Sequence, residues 1–359
     1  MNNFITDIHI AKVRHLENID IKLGNTKKHL ILTGKNGCGK TSVLEALNDF
    51  FLNANLDEES YIKLKETLYP KFNTNIDSIL YGFFPAKRFM KVEQPKGIKR
   101  YDIPKGKLNI NFLQHIVNLK ADRSFARDDN EIEVIKKIDE WFNKFENMLK
   151  QIFNDDDLYI KFDRRTYNFL IYRTNREPFD FNSLSAGYSA IVDIITEIIL
   201  KIELLQVKSF DYEGIVLIDE VENHLHVELQ KNIMPLLISF FPNIQFIITT
   251  HSPFVLSSIE NSVIYDLERK EHTDGDRFVN GSYSQIVKNY FEVDSEFSRV
   301  LEEEIKRYEE LINIFETKNI TLEDEKELSK LDTKLDEIAL MLSTNIYLRF
   351  KELQNRIME

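Results

Sequence analysis

The segment Gly34-Lys35-Asn36-Gly37-Cys38-Gly39-Lys40-Thr41 constrains what this chain can fold into more than any other stretch of it. The apolar run His29-Leu30-Ile31-Leu32-Thr33 before it reads as a strand, and a helix is expected from about Lys40. Glycines at 34, 37 and 39 let the backbone curl until its N–H groups point at phosphate oxygens, and the following helix adds its positive end. In a loop of this pattern the lysine, here Lys40, neutralises the β- and γ-phosphates of a nucleotide, and the Thr41 hydroxyl holds Mg²⁺. Cys38 is read as a small residue that fits a crowded loop, since a reactive thiol needs exposure and a lowered pKa.

Two further strand ends carry chemistry. Ile215-Val216-Leu217-Ile218 delivers the adjacent carboxylates of Asp219 and Glu220. In a phosphoryl-transfer site the first would hold the metal, and the second would orient and deprotonate the attacking water. The run Gln245 to Thr250 ends in Thr249-Thr250-His251-Ser252, which puts His251 at the equivalent edge, where it can contact a γ-phosphate and report its presence.

The rest of the pattern is consistent with a layered α/β protein. Short strands are expected around Ile5 to Ile10, Ile19 to Ile21 and Ser78 to Phe84, the last stopped by Pro85. Glu131 to Ile152 has helical periodicity, Tyr159 to Tyr172 reads as a hairpin, and helices are expected after Leu184 and near Val227. Apolar runs alternating with helices imply a mostly parallel sheet. Past about Phe291, Leu301, Ile305, Tyr308, Ile312 and Phe315, and then Leu328, Leu331, Leu335, Ile338 and Leu342, step by threes and fours. Thr321 and Asp324 form a helix-capping signature between the two runs, so an acidic helical hairpin with a last helix is expected there.

Composition removes several classes. With 47 basic and 59 acidic residues the net charge is −12, which argues against wrapping nucleic acid over the whole surface and leaves room for a local basic patch. The single cysteine excludes an intrachain disulfide and points to a reducing, cytoplasmic setting. Met1 to Ile10 carries Asp7 and reads as no signal peptide, and the apolar stretch Ala190 to Leu205 is broken by Asp193, Glu197, Lys201 and Glu203. Those charges are expected on one side of a buried helix, and no membrane span is expected.

Together, Gly34 to Ser42, Leu184-Ser185-Ala186-Gly187, Val216 to His226 and Thr250-His251-Ser252-Pro253 resemble the ABC-type ATPase heads of the RecF, structural-maintenance-of-chromosomes and OLD-like group. Phe181 to Ala190 and Glu222-Asn223-His224-Leu225-His226 look more closely like stand-alone antiphage ATPases of Septu type. The resemblance runs over roughly residues 1 to 290 with the four motifs in the family's order. It implies an α/β phosphate-loop NTPase of ABC-head type: a mostly parallel sheet, an antiparallel β subdomain, a helical and β insertion at about 87–180, and a helical tail over 291–359. It also implies ATP and Mg²⁺ as cofactors, with Asn36, Gly37, Cys38, Gly39, Lys40, Thr41 and Ser42 on the nucleotide. Thr41 and Asp219 would serve the metal, Glu220 would be the catalytic base and His251 the switch. Ser185 and Gly187 of one subunit would close over the nucleotide held by Lys40 of another, with Asn223 and His226 at the boundary. The signature departs from the transporter-like Leu-Ser-Gly-Gly-Gln in reading Leu-Ser-Ala-Gly-Tyr.

Three features leave alternatives open. Lys87, Arg88, Lys91, Lys96, Lys99, Arg100, Lys105 and Lys107, with Phe89 and Tyr101 among them, suit DNA or RNA phosphates and stacked bases, and equally a solvated charge run or an acidic partner. Phe83 to Arg88 also resembles a family segment near the nucleotide. Asp274-Gly275-Asp276 is read as a hairpin turn rather than a nuclease centre, so any nuclease is expected on a separate chain. The tail's apolar faces would pack on the ATPase body or bind a second copy or an effector. The resulting expectation is a self-assembling ATPase that controls an effector, by resemblance a nuclease, in antiphage defence. Its rivals are a nucleotide-gated scaffold with little turnover and a RecF-like DNA-repair ATPase.

Overall fold

The computed structural model describes residues 3–53, 66–73, 79–99, 108–205, 212–290, 299–317, 320–338 and 344–358. The chain divides into two compact units, Met1–Ile286 and Val287–Glu359. Arg100, Tyr101, Lys105, Lys107 and Leu342 lie outside the described residues.

Among the described residues the first unit has twelve strands. In chain order they are β1 (Ile5–Val13), β2 (Leu16–Lys22), β3 (His29–Thr33), β4 (Leu68–Phe72), β5 (Leu80–Phe84), β6 (Tyr159–Asp163), β7 (Asn168–Tyr172), β8 (Phe179–Asp180), β9 (Gly214–Ile218), β10 (Ile244–Thr249), β11 (Ser262–Asp266) and β12 (Glu271–Asp274). The central sheet runs β12-β11-β3-β10-β9-β5. Five of its strands are parallel, and β12 closes one edge antiparallel to β11. Strands β3, β9, β10 and β11 are buried at every position, as expected of parallel strands covered on both faces. A smaller antiparallel sheet, β2-β1-β4, packs through Ile5, Ile8, Ile10, Ile19 and Ile21 into the core shared with β3 and the helix Lys40–Asn53. Gln245, fully buried in β10, joins the two sheets: its Oε1 accepts from the Ile5 N–H at 2.8 Å and its Nε2 donates to the Ile5 carbonyl at 3.0 Å.

The insertion carries helices Phe112–Asp128 and Ile132–Phe153 and the antiparallel sheet β6-β7-β8. The expected hairpin around Arg164 and Arg165 is β6 paired with β7. Strands β4 and β11 and the helix Phe112–Asp128 carry little periodic signal and are additions to the sequence reading. The turn of the β11–β12 hairpin spans 267–270, not 274–276. Asp274 ends β12 and pairs with Lys28 at 2.8 Å, and Gly275 leads into a short helix. A Cβ at Gly275 would lie 2.2 Å from Ser262 Oγ, so this glycine answers a close backbone approach.

The helix Ala186–Leu204 is buried nearly all round; Asp193 and Glu197 are among its buried residues, and Glu197 pairs with Lys201 one turn further on. Among the described residues no helix is long and apolar enough to cross a membrane.

Among the described residues the second unit carries three long helices, Arg299–Glu316, Leu322–Glu337 and Thr344–Met358. The capping box of Thr321 and Asp324 starts the second of them. Tyr308, Leu311, Ile312, Leu328, Leu335, Phe350 and Leu353 form a core of the unit's own. The apolar stripes expected to seek the ATPase body or a partner are therefore largely used in packing the three helices on one another.

Candidate functional site

Four neighbouring parallel strands, in the order β3, β10, β9 and β5, bring their C-terminal ends to one edge of the sheet. The glycine loop follows β3, His251 follows β10, Asp219 and Glu220 follow β9, and Arg88 follows β5. Segments far apart in sequence meet there because each strand hands its next residue to the same rim.

Within the loop Gly34, Gly37 and Gly39 take φ of +127°, +85° and +102°. A Cβ would meet Cys38 Sγ at 2.9 Å from Gly34 and Leu16 Cδ1 at 2.8 Å from Gly39, so two of the three glycines are also required by space. Lys40, 7% exposed, opens the helix Lys40–Asn53 and donates from Nζ to the Gly34 carbonyl at 2.9 Å and the Lys35 carbonyl at 3.0 Å. Cys38 is half-buried, with Sγ 3.7 Å from Lys40 Nζ and 3.9 Å from the Thr33 carbonyl. Asn36, Gly37 and Thr41 face solvent, and Ser42 is buried beneath them.

Asp219 is buried and held from two sides. The Thr41 hydroxyl donates to Oδ2 at 3.0 Å, and the Thr249 hydroxyl donates to Oδ1 at 2.6 Å. Thr249 Oγ1 in turn accepts the Glu220 N–H at 2.7 Å. Glu220 itself has φ +44°, a left-handed setting that costs a non-glycine residue about 1–3 kcal/mol and persists only where its surroundings impose it. One turn further, Glu222 Oε1 accepts the His251 N–H at 2.6 Å. Burial raises the Glu222 pKa above the usual carboxylate value. Burial, helped by the Lys40 charge and opposed by Asp219, lowers that of His251 and favours a neutral imidazole.

The Thr41 hydroxyl and the Asp219 carboxylate are hard oxygen donors in mutual contact, a set that fits Mg²⁺ completed by phosphate oxygens and water. Among the described residues no three His, Cys, Asp or Glu side chains gather into a metal cluster, so nothing there resembles an all-protein cage.

Ser185 and Gly187 stand elsewhere. Ser185 is exposed at the start of the helix Ala186–Leu204, and its side chain makes no capping bond. A Cβ on Gly187 would come within 3.0 Å of the His224 carbonyl. With Tyr188, His224, His226 and Asn232 they line an open cleft of about 750 Å³, and none of residues 34–42, 219, 220 or 251 borders it. The structure thus brings the loop, the acidic pair and the histidine together and leaves the Ser185 segment apart. Asn223 donates from Nδ2 to the Ala86 carbonyl at 3.0 Å.

Arg88 is not part of an exposed basic run. It is 3% exposed and turned inward, while Lys87, Phe89, Lys91, Lys96 and Lys99 face solvent. The alternation Arg88, Met90, Val92 on one side against Lys87, Phe89, Lys91 on the other is the signal that marks it. Thr249 was visible only as a strand-end hydroxyl, because its two partners lie 29 and 30 residues away.

Residues 79–257 match the family described as AAA domain, putative AbiEii toxin, Type IV TA system. The match takes in β5, Arg88, Ser185, the acidic pair and His251, and begins past the glycine loop. Retron Ec83 probable ATPase of Escherichia coli is 36% identical over 143 residues, 37% of this chain and 26% of that protein. Septu protein PtuA of Bacillus mycoides (strain KBAB4) is 27% identical over 306 residues, 75% of this chain and 41% of the relative. Septu protein PtuA of Bacillus thuringiensis is 27% identical over 287 residues, 66% of this chain and 69% of the relative. The chain thus spans well under two thirds of the first two of these proteins.

Proposed function

From the premise that this chain is an AAA/ABC-type ATPase related to the retron and Septu ATPases, we propose that it binds ATP with Mg²⁺ and hydrolyses it in composite sites built by two copies. The observation that carries the reading is the hydrogen-bonded line Thr41–Asp219–Thr249–Glu220 at the edge where the glycine loop ends. Loop N–H groups and the amino group of Lys40 would cradle the phosphates, with Asn36, Gly37, Cys38, Gly39 and Ser42 shaping the cradle. Thr41 and Asp219 would hold Mg²⁺, which when bound supplies charge neutralisation on the phosphate oxygens. The Glu220 carboxylate would take the proton of the attacking water, and the neutral His251 would hydrogen-bond the γ-phosphate region.

The exposed Ser185 and the backbone N–H groups after it form a helix N-terminus suited to a phosphate. Their separation from Lys40 within one chain favours a nucleotide supplied by a second copy. ATP binding would then draw two copies together, and the assembled state would control a separate effector, which we read as a nuclease in antiphage defence. Asp274 sits at a strand end and Asp276 on a short helix, and we do not read these two carboxylates as a nuclease centre.

Glu220→Gln tests the enzymatic core. Turnover should fall by about 10²–10⁴-fold while ATP affinity stays within about threefold, the pattern of a lost general base. Phosphate release unchanged from wild type would remove Glu220 from that role. Co-purification of the effector with Glu220→Gln in ATP, and its loss in ADP, would test the regulatory half.

A further inference from the structure

The guanidinium of Arg88 sits beneath the residues that carry the carboxylates. Nη1 donates to the carbonyls of Asp219 at 2.8 Å and Pro85 at 3.2 Å. Nη2 donates to the carbonyls of Glu220 at 3.0 Å and Val221 at 2.8 Å. One planar fork thus takes three consecutive carbonyls, and the middle one belongs to the residue in the left-handed setting, Glu220. From the opposite side Thr249 takes the Glu220 N–H on its hydroxyl and, at 3.1 Å, the Val221 N–H on its carbonyl. Glu220 is therefore held at both its N–H and its carbonyl, which is the condition under which such a setting persists.

The segment that Arg88 begins is itself tied down near Ser185. The Met90 N–H donates to Ser189 Oγ at 2.8 Å, and Val92 exchanges hydrogen bonds with the Asn182 side chain at 3.0 and 3.1 Å. Burial lowers the Arg88 pKa, while Glu222, Asp193, Asp219 and Glu220 act in the other direction. Asp193 belongs to the Ser185 helix, so the guanidinium lies in the field of both halves of the chain's site.

We infer that Arg88 is a positioning residue for hydrolysis: by clamping the carbonyls of residues 219–221 it holds Glu220 in its left-handed setting and so aims the carboxylate. The inference rests on the reading of Glu220 as the base. A lysine keeps the charge but not the fork, so Arg88→Lys removes the clamp and Arg88→Ala removes clamp and charge together.

The test uses the full chain with ATP and Mg²⁺, and reads single-turnover phosphate release, ATP affinity and amide hydrogen exchange. Both variants should lose roughly 30-fold or more in kcat with KM within about threefold, the split of a group acting only through the reacting geometry. Exchange at the amides of residues 220–222 should rise by about tenfold or more, with the amides of residues 37–41 unchanged. Guanidinium ion at low millimolar concentration should restore part of kcat to Arg88→Ala and none to Arg88→Lys. Wild-type kcat and wild-type protection in Arg88→Lys would overturn the inference. So would a loss spread evenly over KM, thermal midpoint and the phosphate-loop amides, or failure of both variants to fold, since Arg88 would then be a packing residue. If the wild type binds ATP without turnover, the hydrolytic reading fails, and exchange at 220–222 still decides whether Arg88 holds Glu220.

Discussion

The two ends of the proposed site differ in how far one chain completes them. At the acidic end Asp219 is engaged by Thr41 and Thr249, the Glu220 peptide by Thr249 and Arg88, and the His251 peptide by Glu222, all within the chain. At the Ser185 end the helix starts with an exposed serine that caps nothing and faces an open cleft. A pre-organised set of groups stabilises developing charge without rearrangement, whereas the first N–H groups of a helix have no partner within it. On the proposed reading, the contrast places the chemistry within one chain and makes its timing depend on a second copy.

The strongest way to break that contrast is Ser185→Arg. The side chain is exposed and makes no capping bond, so stability should shift by no more than about 0.5 kcal/mol in a thermal melt. ATP affinity of the isolated chain should hold, while turnover and ATP-driven self-association should fall by roughly 100-fold or more, measured by phosphate release and light scattering. Undiminished turnover with an arginine at 185 would place the Ser185 end outside the reaction.

Thr249→Val sharpens the other side. It leaves the Glu220 N–H without its acceptor and removes one donor from Asp219, so urea midpoints should report a loss of about 1–3 kcal/mol. Turnover should drop by about tenfold as the carboxylates lose alignment. A variant as active and stable as wild type would show that the acidic end does not depend on this hydroxyl.

The smallest effect concerns the strand that leads into the loop. Burial holds the His29 pKa down to about 3, and that of His115 to about 4, against an ordinary 6.5. Both are neutral in the folded chain, while the unfolded chain takes up protons on them below about pH 6.5, so stability falls as pH drops from there toward 4. Each contributes a slope of about 1.4 kcal/mol per pH unit. His29 Nδ1 accepts the Phe246 N–H at 3.1 Å, a role an asparagine oxygen can fill. His29→Asn should flatten the pH dependence of the urea midpoint between pH 6 and 5 by about that one-proton slope. An unchanged slope would mean that the imidazole is accessible to protons in the native chain.

Much of the candidate site is legible in the sequence alone. Residues 34–41 act through contiguous backbone N–H groups, so the motif contains its own geometry. Asp219, Glu220 and His251 were legible because an apolar strand announces where its polar end will emerge. Arg88 was legible only through the resemblance of Phe83 to Arg88 to a family segment near the nucleotide, since an arginine among lysines otherwise reads as surface charge and its carbonyl partners lie 131 to 133 residues away. The 274–276 segment was misplaced for a similar reason: its Asp-Gly pair suits a turn, but Lys28 and Ser262 across the sheet fix it as a strand end.

What the linear chain determined is local: a phosphate-binding loop, strands that end in acids and a histidine, a capping box at Thr321, and no stretch apolar enough to be expected in a bilayer. What only the folded chain decided is non-local: the order β3-β10-β9-β5 that makes those strand ends neighbours, the inward turn of Arg88, the joint hold on Glu220, and the use of the tail's apolar stripes in a core of its own. The physical reason is that backbone conformation and helix capping depend on residues a few positions apart. Strand order and buried hydrogen-bond partners are chosen by the free energy of the whole packed core.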